Sequence, residues 1–91
     1  MHEFVIEREV PGAGQFSAAE LQSIAARSCG VLRELGPAIC WVRSYVTDDK
    51  LYCIYSACDE ALVREHARLA GFPADRVCAV RQVINPLTAR A

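Results

Sequence analysis

The chain is short of the features that mark most function classes. It has no run of about 18 apolar residues free of charge, so nothing in it reads as a membrane span. The opening MHEFVIEREV lacks a basic segment followed by an apolar one, and no secretory leader is expected. Lys+Arg number 10 against 11 Asp+Glu, for a net charge of −1 with the signs interleaved. No basic stripe prepares it for nucleic acid, and no acidic tail for a basic partner. The five cysteines include no CxxC pair, and their odd number suits free thiols in a cytoplasmic protein, where cysteine acts as a small hydrophobe. Internal repeats and low-complexity stretches are absent.

What is present is apolar: 53% of 91 residues, enough for one domain spanning residues 1–91 and too little chain for two cores. A domain this small leaves some of that apolar surface for a subunit contact. Strand-forming Phe4, Val5, Ile6 and Val10 predict a first strand over residues 2–10, ended by Pro11-Gly12. Ser17 and Glu20 form a capping box for a helix that runs to Leu35, where Gly36-Pro37 stops it. Its inward stripe is Leu21, Ile24, Ala25, Ser28, Leu32 and Leu35. ICWVRSYVT and KLYCIYS are strands joined by a turn at Asp48-Asp49. Asp59 caps a second helix closed by Gly71, and RVCAVRQVI, residues 76–84, is a last strand. This order predicts an α+β, ferredoxin-like βαββαβ fold: a four-stranded antiparallel sheet with two helices on one face and strands one and three in its middle.

His66 is the most informative single residue. At helical spacing it lies centrally in a stripe of Leu62, Val63, Leu69 and Ala70, opposite Glu60, Arg64 and Arg68, and so points inward. A buried imidazole requires a hydrogen-bond partner, a ligand or a metal. Pairing across the hairpin sets Ser44 against Cys53, Val42 against Tyr55, Val46 against Leu51 and Tyr45 against Tyr52. One face then carries Ser44, Cys53 and Tyr55 under the helices. The other carries Trp41, Tyr45 and Tyr52, an aromatic face suited to a second copy of the chain. Two arrangements follow for His66. It either bonds to a serine, a tyrosine or Glu7 and cements the core, or joins Cys53 and an oxygen donor in a small metal or ligand site. A mid-strand Cys53 has no helix N-terminus to activate it as a nucleophile. Glu65-His66 lacks the second histidine of the zinc-protease helix.

The segments WVRSYVTDDKLYCIY and REHARLAGFPADRV, with IER in the first strand and ARSCGVLRELGP in the first helix, resemble a family of small bacterial proteins first catalogued as a domain of unknown function. That family includes a nickel-binding protein that forms a ferredoxin-like homodimer. The resemblance covers nearly the whole chain as a pattern, with no catalytic signature, and Cys40, Cys58 and Cys78 fall outside it. It implies a cytoplasmic homodimer that binds nickel or another divalent transition metal without established catalysis. For such a metal the candidate ligands on chemical grounds are His66, Cys53, Glu7 and Tyr45, since nickel accepts nitrogen and oxygen donors. The alternative is a dimeric ferredoxin-like isomerase or cofactor-free monooxygenase acting on a small hydrophobic substrate, with His66 as general base.

Overall fold

In the computed structural model, which describes residues 1–90, the elements follow the expected order. They are β1 (His2–Glu9), α1 (Ala18–Leu35), β2 (Ile39–Val46), β3 (Lys50–Ala57), α2 (Glu60–Ala70) and β4 (Arg76–Ala79). Short 3₁₀ turns cover Ala13–Gln15 and Pro86–Arg90. The strands form one antiparallel sheet in the order β2-β3-β1-β4, with the first and third strands central. Both helices cross over the same face, as a ferredoxin-like α+β fold requires.

Local chemistry accounts for each boundary. Ser17 and Glu20 make the reciprocal capping box, at 3.1 and 3.0 Å. Asp59 accepts from the Leu62 amide at 2.9 Å and starts α2. Gly71 ends α2 in the left-handed region, φ 75°, which a side chain disfavours. In β1 the alternation buries Phe4, Ile6 and Arg8 beneath the helices and turns Glu7 to the open face. Phe4, Ile6, Ile39, Leu51, Tyr55 and Val63 form the centre of the core.

Three expectations need correction. A β-bulge between Trp41 and Arg43 inserts Val42 as an extra residue, so Trp41, not Val42, pairs with Tyr55. Trp41 therefore lies on the helix side, 6.5 Å from Tyr55 by ring centroids, and Tyr45 and Tyr52 alone remain as open-face aromatics. The pairs Ser44–Cys53, Tyr45–Tyr52 and Val46–Leu51, beyond the bulge, stand as expected. The last strand stops at Ala79, opposite Phe4 of β1, and one further bond, from the Val80 amide to the Glu3 carbonyl at 2.9 Å, follows it before the chain leaves the sheet. Val83 and Ile84 beyond it are 72% and 78% exposed. Finally, all five cysteines are free but only Cys53 is buried.

The turn between β2 and β3 is held against the chain entering α1. The Gly14 amide donates to the Asp48 carbonyl at 3.0 Å, and the Gly12 amide to the Asp49 carboxylate at 2.9 Å. A Cβ on Gly14 would sit 3.0 Å from the backbone Cα of Asp48. Gly14→Ala is expected to destabilise by about 1–3 kcal/mol, the usual cost of overpacking. Urea denaturation measures it, and an unchanged midpoint would show that this contact yields freely.

Candidate functional site

The N-terminal half of α1 stands off the sheet. Leu21 is 37% exposed, Ile24 and Ala25 are half-buried, and only Ser28 and Val31 in this helix are fully enclosed. The expected inward stripe thus faces a space, and that space is a cavity of about 410 Å³ between α1 and the sheet. Leu21, Ile24 and Ala25 form its roof, and Trp41, Leu51 and Cys53 belong to its floor. Phe16 closes one side, and Phe72-Pro73, just after α2, the other. Among the described residues, no aspartate or glutamate lines it. The volume falls in the range of small-molecule pockets, which are mostly apolar with a few placed polar groups.

Two polar groupings adjoin this space. In the first, Ser28 Oγ lies 3.2 Å from the Tyr55 hydroxyl and 3.1 Å from His66 Nε2, joining α1, β3 and α2 through one atom. Ser28, Tyr55 and His66 are 2%, 1% and 0% exposed. The His66 ring also packs on Tyr55 and Phe72, with centroids 4.9 and 6.2 Å away. Burial holds the His66 pKa below its ordinary value and pushes the Tyr55 pKa up, so both are neutral near pH 7. His66 Nδ1 has no partner. Ser28 and Tyr55 line the cavity, and His66 stands behind them.

The second grouping centres on Arg8, which the sequence reading passed over. Arg8 is only 2% exposed and lines the cavity. Its Nε donates to Cys53 Sγ at 3.4 Å and its Nη1 to the Pro73 carbonyl, while Nη2 has no partner. The guanidinium lies 5.4 Å from the Phe72 ring centroid, with Arg27 at 4.8 Å from the same ring. The signal for Arg8 was available: it shares the two-residue period of Phe4 and Ile6 and therefore their face.

The four proposed metal ligands do not gather. His66 and Cys53 lie on the helix side of the sheet, with Cys53 accepting from Arg8. Glu7 and Tyr45 lie on the open side, in one cross-strand row with Tyr52 between them. Lys50 Nζ bonds Glu7 Oε1 at 2.6 Å and holds its carboxyl below the ordinary pKa. Tyr45 is 52% exposed. Among the described residues, no three His, Cys, Asp or Glu side chains are grouped to hold an ion. The side chains of a single copy therefore do not fit nickel, even though His66 is neutral and keeps one nitrogen unpartnered.

Comparison with known proteins places the chain at this point. The family described as "Nickel responsive protein SCO4226-like" matches residues 4–80. The chain belongs to that family. A search of curated proteins finds no match. Among solved structures, the crystal structure of SCO4226 from Streptomyces coelicolor A3(2) is similar, with a TM-score of 0.76 at 14% identity over 90% of this chain and 99% of that one. At that identity the likeness speaks for the fold. The shared fold is ferredoxin-like, and the nickel link rests on the family description. No helix among the described residues is long and apolar enough to cross a membrane.

Two measurements test the buried network. Ser28→Ala leaves both the Tyr55 hydroxyl and His66 Nε2 buried without a partner and should cost about 2 kcal/mol or more; Tyr55→Phe, which keeps the Ser28–His66 bond, should cost about 1 kcal/mol. Equal costs by urea denaturation would show that Ser28 does not bridge the two. For His66, the folded pKa lies below the unfolded value of 6.5, so the unfolded chain takes up the proton first. Stability should be full above pH 6.5 and fall as pH drops below it, ahead of the carboxylates, whose ordinary pKa is 4.5. His66→Gln should flatten the stability profile between those limits, and equal slopes for the two proteins would contradict a neutral buried imidazole.

Proposed function

We propose that this protein serves the nickel response of its family by binding and not by catalysis, holding a small, largely apolar molecule in the cavity between α1 and the sheet. The observation that carries this reading is the cavity itself: about 410 Å³, walled by apolar side chains, with the Ser28 and Tyr55 hydroxyls and the Arg8 guanidinium among its lining. Isomerase or oxygenase chemistry with His66 as general base needs a proton path to the ligand. Here His66 reaches the cavity only through Ser28; Ser28 meets the His66 imidazole, but His66 Nδ1 has no carboxylate to orient it, and Cys53 accepts from Arg8 with no base beside it.

Trp41, the only tryptophan, lines the cavity and reports on its contents. Titration with the neutral fluorophore N-phenyl-1-naphthylamine should quench Trp41 saturably. Ala25→Phe, which fills the space from the roof, should abolish the quenching while the circular dichroism stays unchanged. Quenching that is absent in the wild type, or that persists in the filled variant, would contradict a ligand cavity.

A second reading, direct uptake of Ni²⁺ by a homodimer, is supported by the family description and by the row Glu7–Tyr52–Tyr45 on the open face. Packing two open faces together brings two such rows into one interface and supplies the oxygen donors that one copy lacks. Calorimetry of Ni²⁺ into metal-stripped, tag-free protein should then give one ion per two chains, with Glu7→Gln weakening uptake. A monomer by sedimentation, or one ion per chain unaffected by Glu7→Gln, would rule out this shared site.

A further inference from the structure

The cavity has a charge imbalance that its own chain does not resolve. Arg8 is 2% exposed; it donates to a thiol and a backbone carbonyl and lies beside the Tyr55 hydroxyl, and none of these is an anion. Its Nη2 makes no hydrogen bond. Of the acidic residues of β1, Glu7 and Glu9 pair with Lys50 on the far side of the sheet, and Glu3 shares their two-residue period and therefore their face. Arg27, also lining the cavity, forms no ion pair with any described residue and stacks on the same Phe72 ring. An unpaired guanidinium enclosed in a wall of apolar side chains is costly. In a protein of net charge −1, two cations facing one acid-free cavity are not a reflection of overall basicity.

The geometry points to an organic carboxylate as the ligand: one anionic head group drawn to the Arg8 guanidinium, whose enclosed Nη2 turns toward the cavity to donate to it, with an aliphatic or aromatic body lying along Ile24, Trp41 and Leu51. This rests on the ligand-cavity reading above and adds the chemical class. A guanidinium nitrogen donating to a carboxylate makes a charge-assisted bond, stronger than one to a neutral oxygen. Nη2 carries two N–H groups that meet no acceptor within the described residues, and a carboxylate supplies both the acceptor oxygens and the anion that the wall lacks. Arg27, exposed at the rim, adds a second cation that attracts the anion on approach.

The test uses the full chain and two probes with the same body, octanoate and 1-octanol, titrated against Trp41 fluorescence. Octanoate is expected to bind about 10- to 100-fold more tightly than 1-octanol, the range for a hydrogen bond to a charged group. Arg8→Met, which keeps the apolar stem, should remove that preference and leave 1-octanol binding in place. Arg27→Gln should lower octanoate affinity by less than Arg8→Met does. Equal affinity for both probes in the wild type overturns the carboxylate assignment while the cavity reading stands. Failure of both probes to bind overturns the two together. Octyl phosphate as a third probe separates the sources of negative charge: binding tighter than octanoate would replace the carboxylate by a phosphate ester and overturn the assignment. Because the wild-type comparison needs no variant, the outcome is decided even if Arg8→Met fails to fold.

Discussion

The hydroxyl of Ser28 holds the helical layer to the sheet. Through hydrogen bonds of 3.2 and 3.1 Å it connects α1 to Tyr55 on β3 and to His66 on α2. All three side chains are out of water, so each bond must be made within the protein or its cost is borne in full. This network sits at the middle of α1 and fixes the helix there. Toward its N-terminus nothing comparable draws α1 down, and the apolar residues Leu21, Ile24 and Ala25 are left over open space. The cavity is thus a consequence of where the helix is pinned.

Arg8 then decides the character of that space. Strand β1 needs an inward residue at this position, and it brings a guanidinium where Phe4 and Ile6 bring hydrocarbon. Cys53, the Pro73 carbonyl and the face of Phe72 offset part of the burial cost, but they neutralise none of the charge. Gly71 has a part in this: its left-handed conformation ends α2 and turns the chain so that Phe72 and Pro73 arrive beside Arg8. A protein that kept this arrangement only for packing would do better with methionine or leucine. The arrangement makes sense when an anion completes it.

Much of this was readable from residue pattern, and the exceptions have identifiable causes. Capping at Ser17 and Asp59, the glycine stop at Gly71 and the apolar stripe around His66 are local signals, and they survived folding because the tertiary structure agrees with them. The inward pointing of His66 and Ser28 followed from helical period alone. Trp41 was misplaced because a bulge shifts register by one residue, which moves a side chain to the other face, and nothing in the run Cys40–Val42 announces it. The end of β4 was not legible because Val80–Ile84 continue the strand-like run of residues, yet the chain leaves β1 after the Val80–Glu3 bond although β1 itself extends to His2. Arg8 was passed over because an arginine between two glutamates reads as a solvated surface, although its spacing from Phe4 and Ile6 placed it inside. The same spacing separates the candidate ligands: Glu7 is out of phase with Phe4 and Ile6 and takes the open face, whereas Cys53 faces the helices.

The most direct test is a crystal structure of the protein grown with octanoate. The expected result is the carboxylate seated on Arg8 Nη2 with the chain extended between α1 and the sheet, and the Ser28–Tyr55–His66 network unchanged. Octanoate bound elsewhere, or a cavity closed by α1 settling onto Trp41 and Leu51 with Arg8 turned to solvent, would contradict a binding site built around that buried charge.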